Sequence, residues 1–173
     1  MITRVLILGV VFLFSLNGMS QETYINPRYG FKIEFPDLFT DDEKEKEDMT
    51  VISISSSYQK MIFLASIFDY KNEVPSDELK LKEIEALAAT ADAFNATFKA
   101  KKIKKWRIGD YEGLSYPIKG KVKRQQKTMK FYGQMYVIAI KKGLEFRLTV
   151  LAPSKKSYSE TVAKDYINSA KID

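Results

Sequence analysis

Met61-Ile62-Phe63-Leu64-Ala65-Ser66-Ile67-Phe68 is the stretch on which the fold turns. Its near-continuous apolar run reads as a strand buried on both faces, and such a strand needs a cover on each side of its sheet. Ser56-Ser57-Tyr58-Gln59 just before it reads as a hairpin loop, entered from a weakly alternating strand over 51–55. Two helices are the expected covers. Pro75 and Ser76 open the first, with Asp77 and Glu78 in the turn where the helix dipole favours anions. Leu81, Ile84, Leu87, Ala88, Ala91, Phe94 and Phe98 then recur at helical spacing. The second follows Pro153, with Ser157 and Glu160 as a capping box and Tyr158, Val162, Ala163, Tyr166, Ile167 and Ala170 as its apolar stripe.

Working outward, Phe31, Ile33 and Phe35 alternate with Lys32 and Glu34 in a strand closed by Pro36. Further strands are expected over 103–108, 114–122, 128–140 and 144–152, with Lys141-Lys142-Gly143 supplying a tight turn. Short connections between successive strands predict antiparallel pairing. The expected fold class is α+β: an antiparallel sheet of about six to seven strands flanked by helices on both faces, an α/β/α sandwich. No repeat and no Pro/Gly-rich linker divides residues 21–173, which read as a single domain.

The first twenty residues read differently. Met1-Ile2-Thr3-Arg4 is a short positive start, and residues 5–16 are apolar. As a helix this run reaches only about 18 Å, short of a ~30 Å hydrocarbon core. Asn17-Gly18-Met19-Ser20 puts small residues at the −3 and −1 positions of a cut before Gln21. Residues 1–20 are therefore expected to be a cleavable signal peptide, and the protein to be exported, periplasmic or extracellular.

Composition narrows the chemistry. The chain has 173 residues, with 28 Lys+Arg, 22 Asp+Glu, no His and no Cys. Thiol nucleophiles, Cys-ligated zinc, iron–sulfur clusters and disulfides are thereby excluded, along with the commonest general base and transition-metal ligand. No cofactor and no metal site is expected. Catalysis would have to rest on carboxylates alone, with Glu145 or Asp110 near strand ends, and the chain is not read as an enzyme.

The charge is uneven. Residues 22–98 carry 8 basic and 16 acidic side chains, whereas 99–130 carry 12 basic and 2 acidic. Lys119, Lys121 and Lys123 alternate with Ile118, Gly120 and Val122, and Arg124, Lys127 and Lys130 follow around a hairpin tip. These six form the candidate partner-binding surface. Lys101, Lys102, Lys104, Lys105 and Arg107 flank Trp106 on the preceding strand; if the two strands are neighbours, like charges face one another. A surface that tolerates such repulsion suits an anionic partner. Trp106 and the many Tyr serve either as a ligand-stacking surface or as packing. Asp41-Asp42-Glu43-Lys44-Glu45-Lys46-Glu47-Asp48 is rich in oxygen ligands but has no Gly turn and two Lys, so a solvated loop is expected there rather than a calcium site. Asn95-Ala96-Thr97 matches a glycosylation sequon inside the first expected helix, between core-facing Phe94 and Phe98, and is discounted.

Tyr29-Gly30-Phe31-Lys32-Ile33-Glu34-Phe35-Pro36, followed by Leu38-Phe39, resembles the opening strand of PsbP/Mog1-like domains, with Phe39 where the family usually has Trp. The turn from Gly109 to Gly113 ahead of Leu114 is similar to the family's mid-domain turn, and Pro153, Tyr158 and the helix after them to its ending. The resemblance spans residues 24–172 and implies an exported bacterial member of that family, a scaffold that docks to another protein without catalysis. Metal sites in the family lean on His, which this chain lacks, and no functional residue carries over. The leading expectation is thus an exported domain docking to a protein of the cell envelope. The alternative is a binder of anionic lipid or polysaccharide through the basic hairpin; export argues against nucleic acid.

Overall fold

The structure is a computed structural model that describes residues 21–71, 103–124, 127–140 and 143–173, leaving aside the side chains at 122–124 and 127–129. Its strands are β1 (Glu22–Asn26), β2 (Phe31–Phe35), β3 (Phe39–Glu45), β4 (Met49–Tyr58), β5 (Met61–Tyr70), β6 (Lys104–Ile108), β7 (Tyr111–Arg124), β8 (Lys127–Ile140), β9 (Leu144–Ala152) and β10 (Lys171–Ile172). Among the described residues there is one α-helix, α1 (Glu160–Ser169), and there are two 3-10 turns, Pro27–Tyr29 and Lys155–Ser157.

Seven strands form one antiparallel sheet in the order β3-β4-β5-β9-β8-β7-β6. A second antiparallel sheet of three strands, β1-β2-β10, stands apart from it. The expected α/β/α sandwich with helices on both faces is therefore corrected: the described chain is mostly strand, in two sheets. The physical reason lies in β2. Phe31, Ile33 and Phe35 are buried against the large sheet from outside it, with Phe31 stacked on Phe146 of β9 at 4.9 Å between ring centroids. A buried sheet face needs an apolar partner, and here a second sheet supplies most of it.

α1 completes that layer. Ala163, Tyr166 and Ile167 face the core, and Tyr166 packs on Phe35 at 5.3 Å and on Phe63 at 5.1 Å. Its N-cap is Ser159, whose hydroxyl accepts from the Val162 N–H; the expected capping box at Ser157 sits two residues early, in the 3-10 turn that Ser154 caps.

β5 is less symmetric than its composition suggests. Met61, Phe63, Ala65 and Ile67 are fully buried, but Ile62 on the other face is 46% exposed. The hairpin into it turns at Gln59-Lys60, both in the left-handed region, so Ser56 and Ser57 belong to β4 rather than to a loop. On the large sheet's other face, Tyr116, Ile118, Met135, Val137 and Leu151 make a smaller buried cluster. The expected signal peptide over 1–20, the expected helix with its sequon, Lys101, Lys102, the tip Gln125-Gln126 and the Lys141-Lys142 turn lie outside the described residues.

Candidate functional site

The candidate face is built on β6, β7 and β8, and the strand registers decide what it contains. Lys119 of β7 stands opposite Tyr132 of β8, Lys121 opposite Lys130, Pro117 opposite Gln134, and Ser115 opposite Tyr136. Alternation puts all eight on one face of the sheet, the face that carries α1 and the small sheet further along. β6 adds Lys104 opposite Ser115 and Trp106 opposite Gly113. No carboxylate interrupts these positions.

Exposure grades across the face. Ile138 and Ile108 belong to the buried core, Trp106, Tyr136 and Tyr132 are half-buried, and Lys104, Lys119, Lys121 and Lys130 are exposed. Trp106 meets Tyr136 edge-on at 4.8 Å, and Tyr132 meets Tyr158 edge-on at 5.2 Å. Gly113 is required here. A Cβ on it would overlap the Val137 carbonyl and the Ile138 side chain, so only glycine fits opposite the indole. Tyr158 follows the 3-10 turn at Lys155–Ser157, which packs against β8 and brings exposed Lys155 and Lys156 with it.

Burial pushes the phenols of Tyr136 and Tyr158 up from their ordinary value, helped at Tyr158 by Tyr136, Tyr132 and Glu160. Both hydroxyls therefore stay protonated at neutral pH, and the aromatic strip presents neutral rings beside a row of cations. Chemically the face can stack, donate hydrogen bonds and attract anions.

The six expected docking residues are not brought together as one row. Lys119, Lys121 and Lys130 share the aromatic face, and Lys123 continues their row by register, opposite Thr128. Arg124 and Lys127 pair with each other in the alternate row at the hairpin's end. The expected repulsion between β6 and β7 is also corrected. β6 pairs with the other end of β7, where Lys105 forms an ion pair with Glu112 at 2.9 Å; the like-charge positions that oppose one another by register are Lys121 with Lys130 and Arg124 with Lys127, inside the hairpin. The sequence left Trp106 and the tyrosines open between stacking and packing and did not pick out Lys155 and Lys156. Alternation along β8, Lys130-Tyr132-Gln134-Tyr136, was the available signal for the tyrosines.

The other candidates resolve simply. Asp41 to Glu45 are not loop but the exposed edge strand β3, and no group of His, Cys, Asp or Glu among the described residues could hold a metal ion. Glu145 is buried and ion-paired with Arg147, while Asp110 lies exposed in the β6–β7 turn, with β8 between them in the sheet.

No protein-family profile matches the chain, and no curated protein matches it in sequence. Solved structures do match in shape. A crystal structure from Bacteroides thetaiotaomicron aligns at a TM-score of 0.51 with 12% identity, over 90% of this chain and 49% of that one, so this chain spans about half its length. The solution structure of cyanobacterial PsbP (CyanoP) from Synechocystis aligns at a TM-score of 0.55 with 11% identity, over 92% of this chain and 96% of that one. Aligned with that structure over 92% of its length, the chain has a PsbP-like fold.

Proposed function

We propose that the protein is an exported, non-catalytic domain that docks to an acidic surface of another cell-envelope protein through the β7–β8 face. The observation that carries this reading is the Lys121–Lys130 cross-strand pair beside a half-buried aromatic strip. Directly opposed like charges destabilise a sheet, so their presence on an exposed face is explained by a partner that neutralises them. Lys119 and, by register, Lys123 extend the row; Tyr132, Tyr136 and Trp106 supply the apolar area that holds a complex once charge has steered it. Arg124 and Lys127 add charge at the hairpin's end.

The test is amine-reactive crosslinking with mass spectrometry in intact cells. Crosslinks from the neighbouring exposed amines Lys104, Lys155 and Lys156 to one recurrent envelope protein are expected, and Lys119→Glu/Lys121→Glu/Lys130→Glu, which leaves those amines in place, should abolish them while the domain stays folded. Crosslinks that survive the triple reversal unchanged would overturn the reading.

The paired rings favour one second reading, an acidic polysaccharide laid over the aromatic strip with its anions on the lysines. Salt-sensitive retention of the purified protein on such a polymer, with no protein partner present and with loss in Trp106→Ala, would favour it over protein docking. Anionic vesicles are the control for a lipid surface.

A further inference from the structure

The large sheet ends in two strands of opposite charge. β3, at one edge, has four carboxylates and one lysine in Phe39–Glu45, and from Thr40 onward every residue is exposed. β6, the other terminal strand among the described residues, has three cations and no carboxylate in Lys104–Ile108, with Lys104, Lys105 and Arg107 exposed. Six strand spacings of ~4.8 Å separate the edges by about 29 Å, roughly three Debye lengths at ~0.1 M salt. The acidic strand therefore cannot be the counterpart of its own molecule's basic edge.

We propose that β3 of one copy pairs with β6 of a second copy, extending the seven-stranded sheet head to tail. Terminal strands present rows of backbone N–H and C=O groups able to accept another strand. Charge then selects which strand. Two β3 edges, or two β6 edges, would oppose like charges, so the two-fold contacts that close a dimer are disfavoured. The unlike contact sets a net charge of −3 on β3 against +3 on β6. By register with β4 and β7, Asp41, Glu43 and Glu45 share a face with Lys104; on the other face Asp42 and Lys44 balance one another, beside Lys105 and Arg107. Existing ion pairs leave this complementarity in place: Glu43 meets Arg28 at 3.5 Å, Asp42 meets Lys44 at 2.6 Å and Lys105 meets Glu112 at 2.9 Å, all at exposed positions where such pairs are weak. Asp41, Glu45, Lys104 and Arg107 enter no ion pair among the described residues.

A heterologous contact of this kind leaves one edge free on each copy, so it adds further copies into open chains or, where the rotation closes, rings. One strand pair is a small interface, so the association is reversible and belongs to concentrated protein. Lys119, Lys121 and Lys130 take no part; Lys104 is shared with the candidate face, so the β3 variants, which leave that face untouched, keep this inference apart from the docking reading.

The experiment is sedimentation velocity of the purified protein over a concentration series, at about 0.01 M and about 1 M salt, where the Debye length falls from ~30 Å to ~3 Å. Species growing beyond dimer with concentration are expected at low salt and monomer at high salt. Asp41→Lys/Glu43→Lys/Glu45→Lys alone, or Lys104→Glu/Lys105→Glu/Arg107→Glu alone, should be monomeric at low salt. Carrying both sets together swaps the edges and should restore growth; so should mixing the two single-edge proteins. Circular dichroism verifies each fold. Should a reversed edge fail to fold, Asp41→Asn/Glu45→Gln or Lys104→Gln/Arg107→Gln replaces it, with the same loss expected. Wild-type protein that stays monomeric at low salt, growth that stops at a dimer, or single-edge variants that associate like wild type would each overturn the proposal.

Discussion

Arg147 sits in β9 with its guanidinium beside the carboxylate of Glu145 and 4.0 Å over the ring of Phe68. Glu145 is 2% exposed, so its charge is sustained by what surrounds it and hardly by water. Arg147→Met is expected to destabilise the domain by about 3–5 kcal/mol, because it takes the guanidinium away from a buried carboxylate. Arg147→Met/Glu145→Met should recover much of that loss, since two apolar side chains leave no charge to desolvate. Urea unfolding midpoints of the two variants check this; a double variant no better than the single one would mean that the pair is not the unit. At this scale the sequence offered Glu145 and Asp110 as the only carboxylates on which catalysis could rest, in a chain not read as an enzyme. The structure pairs Glu145 with Arg147, two positions on along β9 and therefore on the same face of the sheet.

Within the β7–β8 hairpin, Lys121 faces Lys130, and one substitution separates stability from function. Lys121→Glu turns a like-charge pair into an opposite one and should stabilise the domain by a few tenths to about 1 kcal/mol. The same change should weaken partner capture. A thermal melt and the crosslinking yield at Lys155 and Lys156 measure the two, and a fall in both would show that Lys121 is structural. Most elements were legible because alternation or helical spacing carried them: β2 from Phe31, Ile33 and Phe35, α1 from Ala163, Tyr166 and Ile167, β9 over its full Leu144–Ala152 span. β1 and β3 were not. β1 buries only Tyr24, and β3 alternates charges with charges, so neither shows the apolar period by which a strand is read.

At the scale of the whole molecule, six tyrosines spread over both sheets and the helix region are held in their neutral form. Burial raises the phenols of Tyr24, Tyr70, Tyr136, Tyr158 and Tyr166, and burial with the hydrogen bond to Asp69 pushes Tyr29 up to about 12. A raised folded value means that the unfolded chain loses its protons first as pH climbs. These groups contribute stability that is complete below about pH 10, the ordinary tyrosine value, and drains away above it, for Tyr29 until about pH 12. Ultraviolet titration should show far less tyrosinate at pH 10–11 in the folded protein than in the denatured chain, and denaturant midpoints should fall over the same interval. Matching titration curves would refute this. The layer architecture belongs to this scale too, and it was misread. Phe31, Ile33 and Phe35 announce a half-buried strand, but nothing in their alternation says whether it joins the large sheet or lies across it. The candidate face was half legible for the same reason: the lysines stand out in composition, while their aromatic neighbours depend on which strands pair.

β10 pairs with β2, and the Asp173 amide donates to the Gly30 carbonyl, so a sheet begun at residue 22 is completed only by residues 171–173. Gly30 is in the left-handed conformation and lies so close that a Cβ would strike the Asp173 carbonyl, which fixes where that strand lands. Closing so long a span costs loop entropy before any contact repays it, and chains dominated by such pairings fold slowly. A nascent chain that has reached only residue 170 already carries β2 but cannot yet give it this edge. The small sheet's third strand is thus the last that the chain can supply, while Phe31 and Phe35 already have their cover in Phe146 and Tyr166.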